Sequence, residues 1–167
     1  MTNNLEELIN KYRDKGIFVD SELLILYIVG STNHRLLGNT KITSNFDEND
    51  FILVTEVLDA FKHRITSPHI LTEVSDLLGE TNEFHHTLQK FIEFADEKNL
   101  PSIEIAKGDS FLKLGLADSA IIEISKDSYL VFTDDQDLYG YLANIGIDAV
   151  KFSLLKLLMP IRPKKHR

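Results

Sequence analysis

Leu5, Leu8, Ile9 and Tyr12 recur at the i, i+3, i+4, i+7 spacing of one helix face, and Gly16 supplies a stop, so residues 4–15 predict an amphipathic helix. The pattern then changes. Ile17, Phe18 and Val19 form a continuous apolar run ending at Asp20, as expected of a strand covered on both faces. Residues 21–29 return to long aliphatic side chains and predict a helix closing at Gly30, and the polar stretch 31–46 reads as a loop. Asp47 then caps a helix carrying Phe51, Val54, Leu58 and Phe61. Arg64–Ser67 is a short extended piece, and Pro68 opens a helix through His69–Leu78. Phe84, Leu88, Phe91, Ile92 and Ala95 place a helix over Glu83–Lys98, and the alternation in Ser102–Ile105 predicts a short strand.

A helix over Leu116–Lys126 has Asp118 in its first turn, and Tyr129–Thr133 is the second clear apolar strand. It too ends on carboxylates, Asp134 and Asp135. A helix over Leu138–Asn144 stops at Gly146, and Asp148–Phe152 predicts a last strand. Strands alternating with helices imply an α/β fold, a three-layer α/β/α sandwich around a mostly parallel sheet. No repeat or linker divides the chain, so residues 1–152 read as a single domain, followed by a C-terminal segment, 153–167, with a basic and frayed tail.

With 167 residues and 43% apolar composition the chain has enough material for one core, and 18 Lys+Arg against 26 Asp+Glu give a net charge of −8. That balance argues against a broad basic grip on nucleic acid, so phosphate chemistry would need local cations, most simply metal ions. The absence of cysteine excludes disulfides, iron–sulfur clusters, thiolate zinc sites and a cysteine nucleophile. The longest apolar stretch, Leu23–Val29, is far short of the roughly 20 residues of a membrane helix. No basic n-region precedes an apolar run at the amino terminus, so the expectation is a cytoplasmic protein without a membrane partner.

In a parallel sheet the functional crevice lies outside the carboxyl ends of the strands. Asp20 leaves one such end, and Asp134, Asp135 and Asp137 leave another; neighbouring strands are only about 5 Å apart. Glu73 and Asp118, each on a helix, complete a candidate cluster. Taken singly, Asp20 and Asp118 more often cap helices, Asp134 and Asp135 more often form turns, and Glu73 more often faces water. Their conjunction changes the reading. Carboxylates forced together repel, and a hard divalent cation such as Mg²⁺ or Mn²⁺, which prefers oxygen ligands, removes that cost. Such ions activate water and neutralise phosphoryl oxygens, so phosphodiester hydrolysis follows naturally from an acid-only site.

Four segments together resemble the PIN-domain nuclease superfamily over about residues 16–152. "IFVDSELLILYIVG" is similar to its first motif, "SPHILTEVSDLL" to its second, "LGLADSAIIEIS" to its third and "YLVFTDDQDLY" to its fourth, the last two in series being the specific part. The resemblance implies a metal-dependent ribonuclease with Mg²⁺ or Mn²⁺ held by Asp20, Asp118 and Asp135. Glu73 and Asp137 would hold a second ion or its water, Ser21 and Thr133 would orient carboxylates or substrate, and Asp134 is a substitute acid. Members are often the toxin of a toxin–antitoxin pair, which implies an antitoxin or inhibitor protein besides the RNA substrate, and many are homodimers. The chain departs from the pattern at Glu22, where members often carry Asn, and in the longer 31–66 segment, which would reshape the substrate groove.

Rival signals are weaker. His69 and Glu73 share a helix face without the His-Glu-x-x-His zinc pattern, and His85-His86 diverge by about 100° on a helix. The glycines form neither a P-loop nor a dinucleotide fingerprint. His34-Arg35 and Lys62-His63-Arg64 are the expected phosphate contacts, ahead of the tail cations Arg162, Lys164, Lys165 and Arg167. A phosphoacceptor receiver domain also clusters acids around Mg²⁺, but it pairs them after the first strand, and Lys151 lacks the Lys-Pro context it expects. A catalytically inactive PIN-like binding scaffold is the other alternative.

Overall fold

Strand β1 (Ile17–Val19) is the centre of the molecule, and its three side chains are fully buried, as an uninterrupted apolar run requires. The computed structural model describes residues 2–159, so the basic tail Pro160–Arg167 lies outside the described residues. Helix α1 (Thr2–Tyr12) leads into β1, and α2 (Ser21–Asn33), α3 (Glu48–Asp59), β2 (Arg64–Thr66), α4 (Pro68–Leu77) and α5 (Asn82–Phe94) follow. The second half holds β3 (Asp96–Glu97), α6 (Ser102–Ala106), α7 (Phe111–Ser125), β4 (Leu130–Thr133), α8 (Gln136–Ile145), β5 (Ala149–Lys151) and α9 (Phe152–Leu158). The strands form one all-parallel sheet in the order β3-β2-β1-β4-β5, with helices covering it as a three-layer α/β/α sandwich.

Register fixes what the strand ends present. Phe18 lies between Ile65 of β2 and Val131 of β4, and Val19 lies beside Phe132. Asp20 therefore leaves the sheet next to Thr133, and its backbone amide still donates to the Phe132 carbonyl at 2.9 Å. Helix α2 lacks a polar face because Leu23, Leu24, Leu26, Ile28 and Val29 are all fully buried, the mark of a helix covered on every side.

Several sequence expectations give way to tertiary effects. Gly30 does not end α2, which runs on to Asn33; a Cβ at Gly30 would sit 2.2 Å from the Phe51 ring, so the glycine admits α3 at close range. The stretch 31–46 is no plain loop. It contains 3-10 turns at His34–Leu36 and Lys41–Thr43, anchored by buried Leu37, Thr43 and Phe46. Ser102–Ile105 is not a strand but α6, where Ile105 is fully buried and Ile103 is 66% exposed; four alternating residues are too few to separate the two periods. The helix expected over Glu83–Lys98 stops at Phe94, because Ala95 turns extended and Asp96–Glu97 pair with β2 as an edge strand.

Helix α7 begins at Phe111, earlier than its apolar period implies, and breaks at Gly115 (φ 80°), the backbone region that glycine enters freely. Asp118 thus stands in the first turn of the continuous part, three residues after the break. The last strand covers only Ala149–Lys151, and Phe152 instead opens α9, whose Phe152 and Leu155 are buried in the same core as β1.

Candidate active site

Five carboxylates converge on one open cleft of about 310 Å³ at the carboxyl ends of β1 and β4. Among the described residues its lining is Asp20, Ser21, Glu22, Ile25, Ile42, Glu73, Leu77, Asp118 and Asp135, with no lysine, arginine or histidine. Each acid comes from a different local setting. Asp20 is the N-cap of α2, Glu22 lies in its first turn, Glu73 projects from α4, Asp118 from α7, and Asp135 caps α8.

Hydroxyls hold two of the acids in place. Thr133 donates to Asp20 Oδ2 at 2.6 Å, while the Ser21 amide donates to Asp20 Oδ1 at 2.7 Å. Thr133 Oγ also accepts from the Asp135 amide at 3.0 Å, so one hydroxyl links both strand-end acids. The Ser21 hydroxyl donates not to Asp20 but to Glu73 Oε2 at 2.6 Å, joining α2 to α4. Asp135 Oδ1 accepts from the Leu138 amide at 2.8 Å. A carboxylate oxygen has two acceptor directions, so each of these oxygens keeps one free.

Burial first, and repulsion between like charges after it, raises the protonation of three acids of the group. Burial, with the charges of Asp20, Asp135 and Glu73 behind it, pushes the Asp118 carboxyl up to about 7. Burial also raises Asp20 above the usual carboxylate range, against the opposing Thr133 and Ser21 hydrogen bonds and with Asp135 and Glu73 adding repulsion. Glu22 is raised by burial and then by Asp134, Asp20 and Asp135.

Not every acid named from the sequence lies here. Asp134 turns away, and its Oδ1 accepts from the Ser153 amide at 2.8 Å, capping α9. Asp137 is exposed in the first turn of α8 and is absent from the cleft lining. His69 also stays out, its Nε2 being 3.1 Å from the Ser102 hydroxyl. Lys62, His63 and Arg64 sit at the amino end of β2 and pair with Asp14, Asp96 and Asp59, so they are not phosphate contacts of this cleft. Ile25 and Leu77, at helical spacing, read as core, and Ile42, in a stretch that reads as a loop, carries no signal of a site. Glu22 carried a signal, because its place two residues after Asp20 sets it one turn-start further along the same helix end.

Among the described residues no three His, Cys, Asp or Glu side chains stand in an arrangement that could hold a metal ion as placed. Like charges without a counterion separate, and here protein hydroxyls and amides take up part of each carboxylate. The chemistry of the donor set fits a hard divalent cation: the polar side chains of the lining offer only oxygen, and no described residue of the lining carries a positive charge. No protein-family model matches the chain, and no curated protein matches it in sequence.

Proposed function

We propose that this protein is a metal-dependent ribonuclease of the PIN-domain kind, hydrolysing phosphodiester bonds in RNA with Mg²⁺ or Mn²⁺. The observation that carries the reading is the cation-free cleft in which Asp20, Glu73, Asp118 and Asp135, brought from four parts of the chain, share one space. A basic residue among them would have made a structural ion-pair network; its absence leaves uncompensated charge that a bound ion relieves.

In this reading Asp20, Asp118 and Asp135 would hold the ion and Glu73 would be a further oxygen donor from α4, while Asp137, outside the cleft lining, would not. When bound, the metal would activate water and neutralise the phosphoryl and leaving oxygens. The chain's own part is preorganisation. Thr133 fixes the Asp20 rotamer and the start of the Asp135 turn, and Ser21 fixes Glu73. With its carboxyl pushed up to about 7, Asp118 would have to give up a proton for a cation to bind beside it. A receiver-type role would need a lysine beside the acids, whereas Lys151 hydrogen-bonds Gln136. The resemblance also carries the proposals of a cytoplasmic toxin restrained by an antitoxin protein, and of a homodimer.

The test is cleavage of fluorescent single-stranded RNA by purified protein with Mn²⁺. Asp118→Asn or Asp20→Asn is expected to lower the rate by about a hundredfold or more, as loss of a transition-state electrostatic partner does. Cleavage by the variants at the wild-type rate overturns the proposal.

A further inference from the structure

The cleft lining divides chemically: beside its carboxylates it presents three aliphatic side chains, Ile25, Ile42 and Leu77. Leu77 is 47% exposed and Ile42 is half-buried, so apolar surface is left in water inside an otherwise charged site. A cation held by carboxylates recognises phosphate, and carboxylates can at most accept a hydrogen bond from a base edge; neither gives a base face an apolar surface to pack on. An aliphatic wall does. A nucleobase offers an apolar face only when it is unstacked, which duplexes prevent and single strands allow.

The way Ile42 is delivered strengthens the case. It belongs to the 34–46 segment, outside the strand–helix alternation, in the 3-10 turn Lys41–Thr43. That turn is tightly held. Thr43 is fully buried, its hydroxyl is 2.6 Å from that of Thr40, and its carbonyl accepts from the Gly38 and Phe46 amides at 3.0 Å. A side chain on such a turn is presented in a set position, as a binding wall requires. Its neighbour Lys41 is exposed and makes no ion pair among the described residues, unlike Lys62 and Arg64. It places positive charge next in sequence to Ile42, beside a lining that has none among the described residues.

We propose that the 34–46 segment is a substrate-positioning element: Ile42, with Leu77, seats an unpaired base of single-stranded RNA beside the phosphate offered to the carboxylates, and Lys41 contacts a neighbouring phosphate. The inference rests on the nuclease reading above and adds to it the residues that choose the strand and place it. The segment supplies binding rather than chemistry, so its loss raises KM and spares kcat.

The experiment is a cycle between protein and substrate. Wild type, Ile42→Ala, Ile42→Leu and Leu77→Ala are assayed on a short single-stranded RNA and on the same RNA made abasic at the nucleotide beside the cleaved bond. Ile42→Ala is expected to raise KM about tenfold, the scale of lost apolar contact in a pocket, with kcat within about twofold; Ile42→Leu, which keeps the apolar area, stays near wild type. The abasic change should harm wild type equally and add nothing to Ile42→Ala. Lys41→Ala should flatten the slope of log(kcat/KM) against log salt by about 0.7, one phosphate contact on a single strand. Unchanged KM in Ile42→Ala, or losses that simply add, overturns the inference while Asp118→Asn still abolishes cleavage. If Asp118→Asn cleaves normally, the nuclease reading itself has failed and this inference with it.

Discussion

Two clefts sit at opposite ends of the sheet, and the larger is the one in which acids are paired with lysines. The amino-end cleft, about 770 Å³ against about 310 Å³, is lined by Glu104, Asp109, Glu123, Asp127 and Asp148, as many acids as the carboxyl-end cleft holds. It also contains Lys11, Lys15, Lys107 and Lys126, three of them paired at 2.7–2.8 Å with Asp148, Glu104 and Glu123. The consequence is opposite protonation behaviour. The Lys11 ammonium, helped by the Tyr12 hydroxyl, holds Asp148 below the ordinary carboxylate range, whereas burial and like charges drive Asp118 up to about 7. Cleft size and acid count are therefore poor guides to chemistry; what separates the two ends is whether the charge has been answered within the protein.

Direct metal binding gives the largest expected contrast in stability. Under the proposed function, Mn²⁺ supplied at about a hundredfold excess over its dissociation constant is expected to stabilise the native state by about 2.7 kcal/mol. For a chain of this size that is a Tm increase of about 5–10 °C, read by thermal unfolding against EDTA. Asp118→Asn should lose most of that shift and Asp148→Asn should keep it. The reverse pattern would move the site to the other end of the sheet.

Proton linkage sharpens the same contrast in metal-free buffer. The folded-state pKa of Asp118 lies above its unfolded value, so the folded protein binds the extra proton between about pH 4 and 7, and stability falls as pH rises through that window. Asp118→Asn should thus melt higher than wild type at pH 8, with the difference shrinking towards pH 5. For Asp148 the sign is opposite. Its depressed pKa contributes stability above the ordinary carboxylate range that is lost as pH falls through the lowered value. Asp148→Asn should melt lower than wild type at pH 7 and converge with it in acid. The smallest effect belongs to Lys126→Ala, which removes a surface pair with Glu123; a Tm change of about 2 °C or less, with cleavage unaltered, is expected.

The fold was legible where burial leaves a strong local mark. The runs Ile17–Val19 and Leu130–Phe132 read as strands because their side chains are covered on both faces, and the acids at their ends were visible for the same reason. Legibility failed where a local pattern was short or answered to a distant partner. Asp96–Glu97 is a strand only because Thr66 and Ile65 lie beside it, and α9 opens where Asp134 offers a cap to the Ser153 amide. Among the site residues, Asp20, Glu73, Asp118 and Asp135 were named from motif and position, while Asp134 and Asp137 shared their local pattern but not the cleft.

Sequence by itself determined the alternation of strand and helix, the covered central strands and the carboxylates at the exits, because spacing along a chain dictates which face of an element is apolar. Only tertiary structure decided that Ser21 would hold Glu73, that Ile42 would come from a distant turn to line the cleft, and that Lys11, Lys15, Lys107 and Lys126 would gather at the far end. Those outcomes depend on the strand order β3-β2-β1-β4-β5, which sets side chains far apart in sequence within hydrogen-bonding distance, and no local period encodes that order.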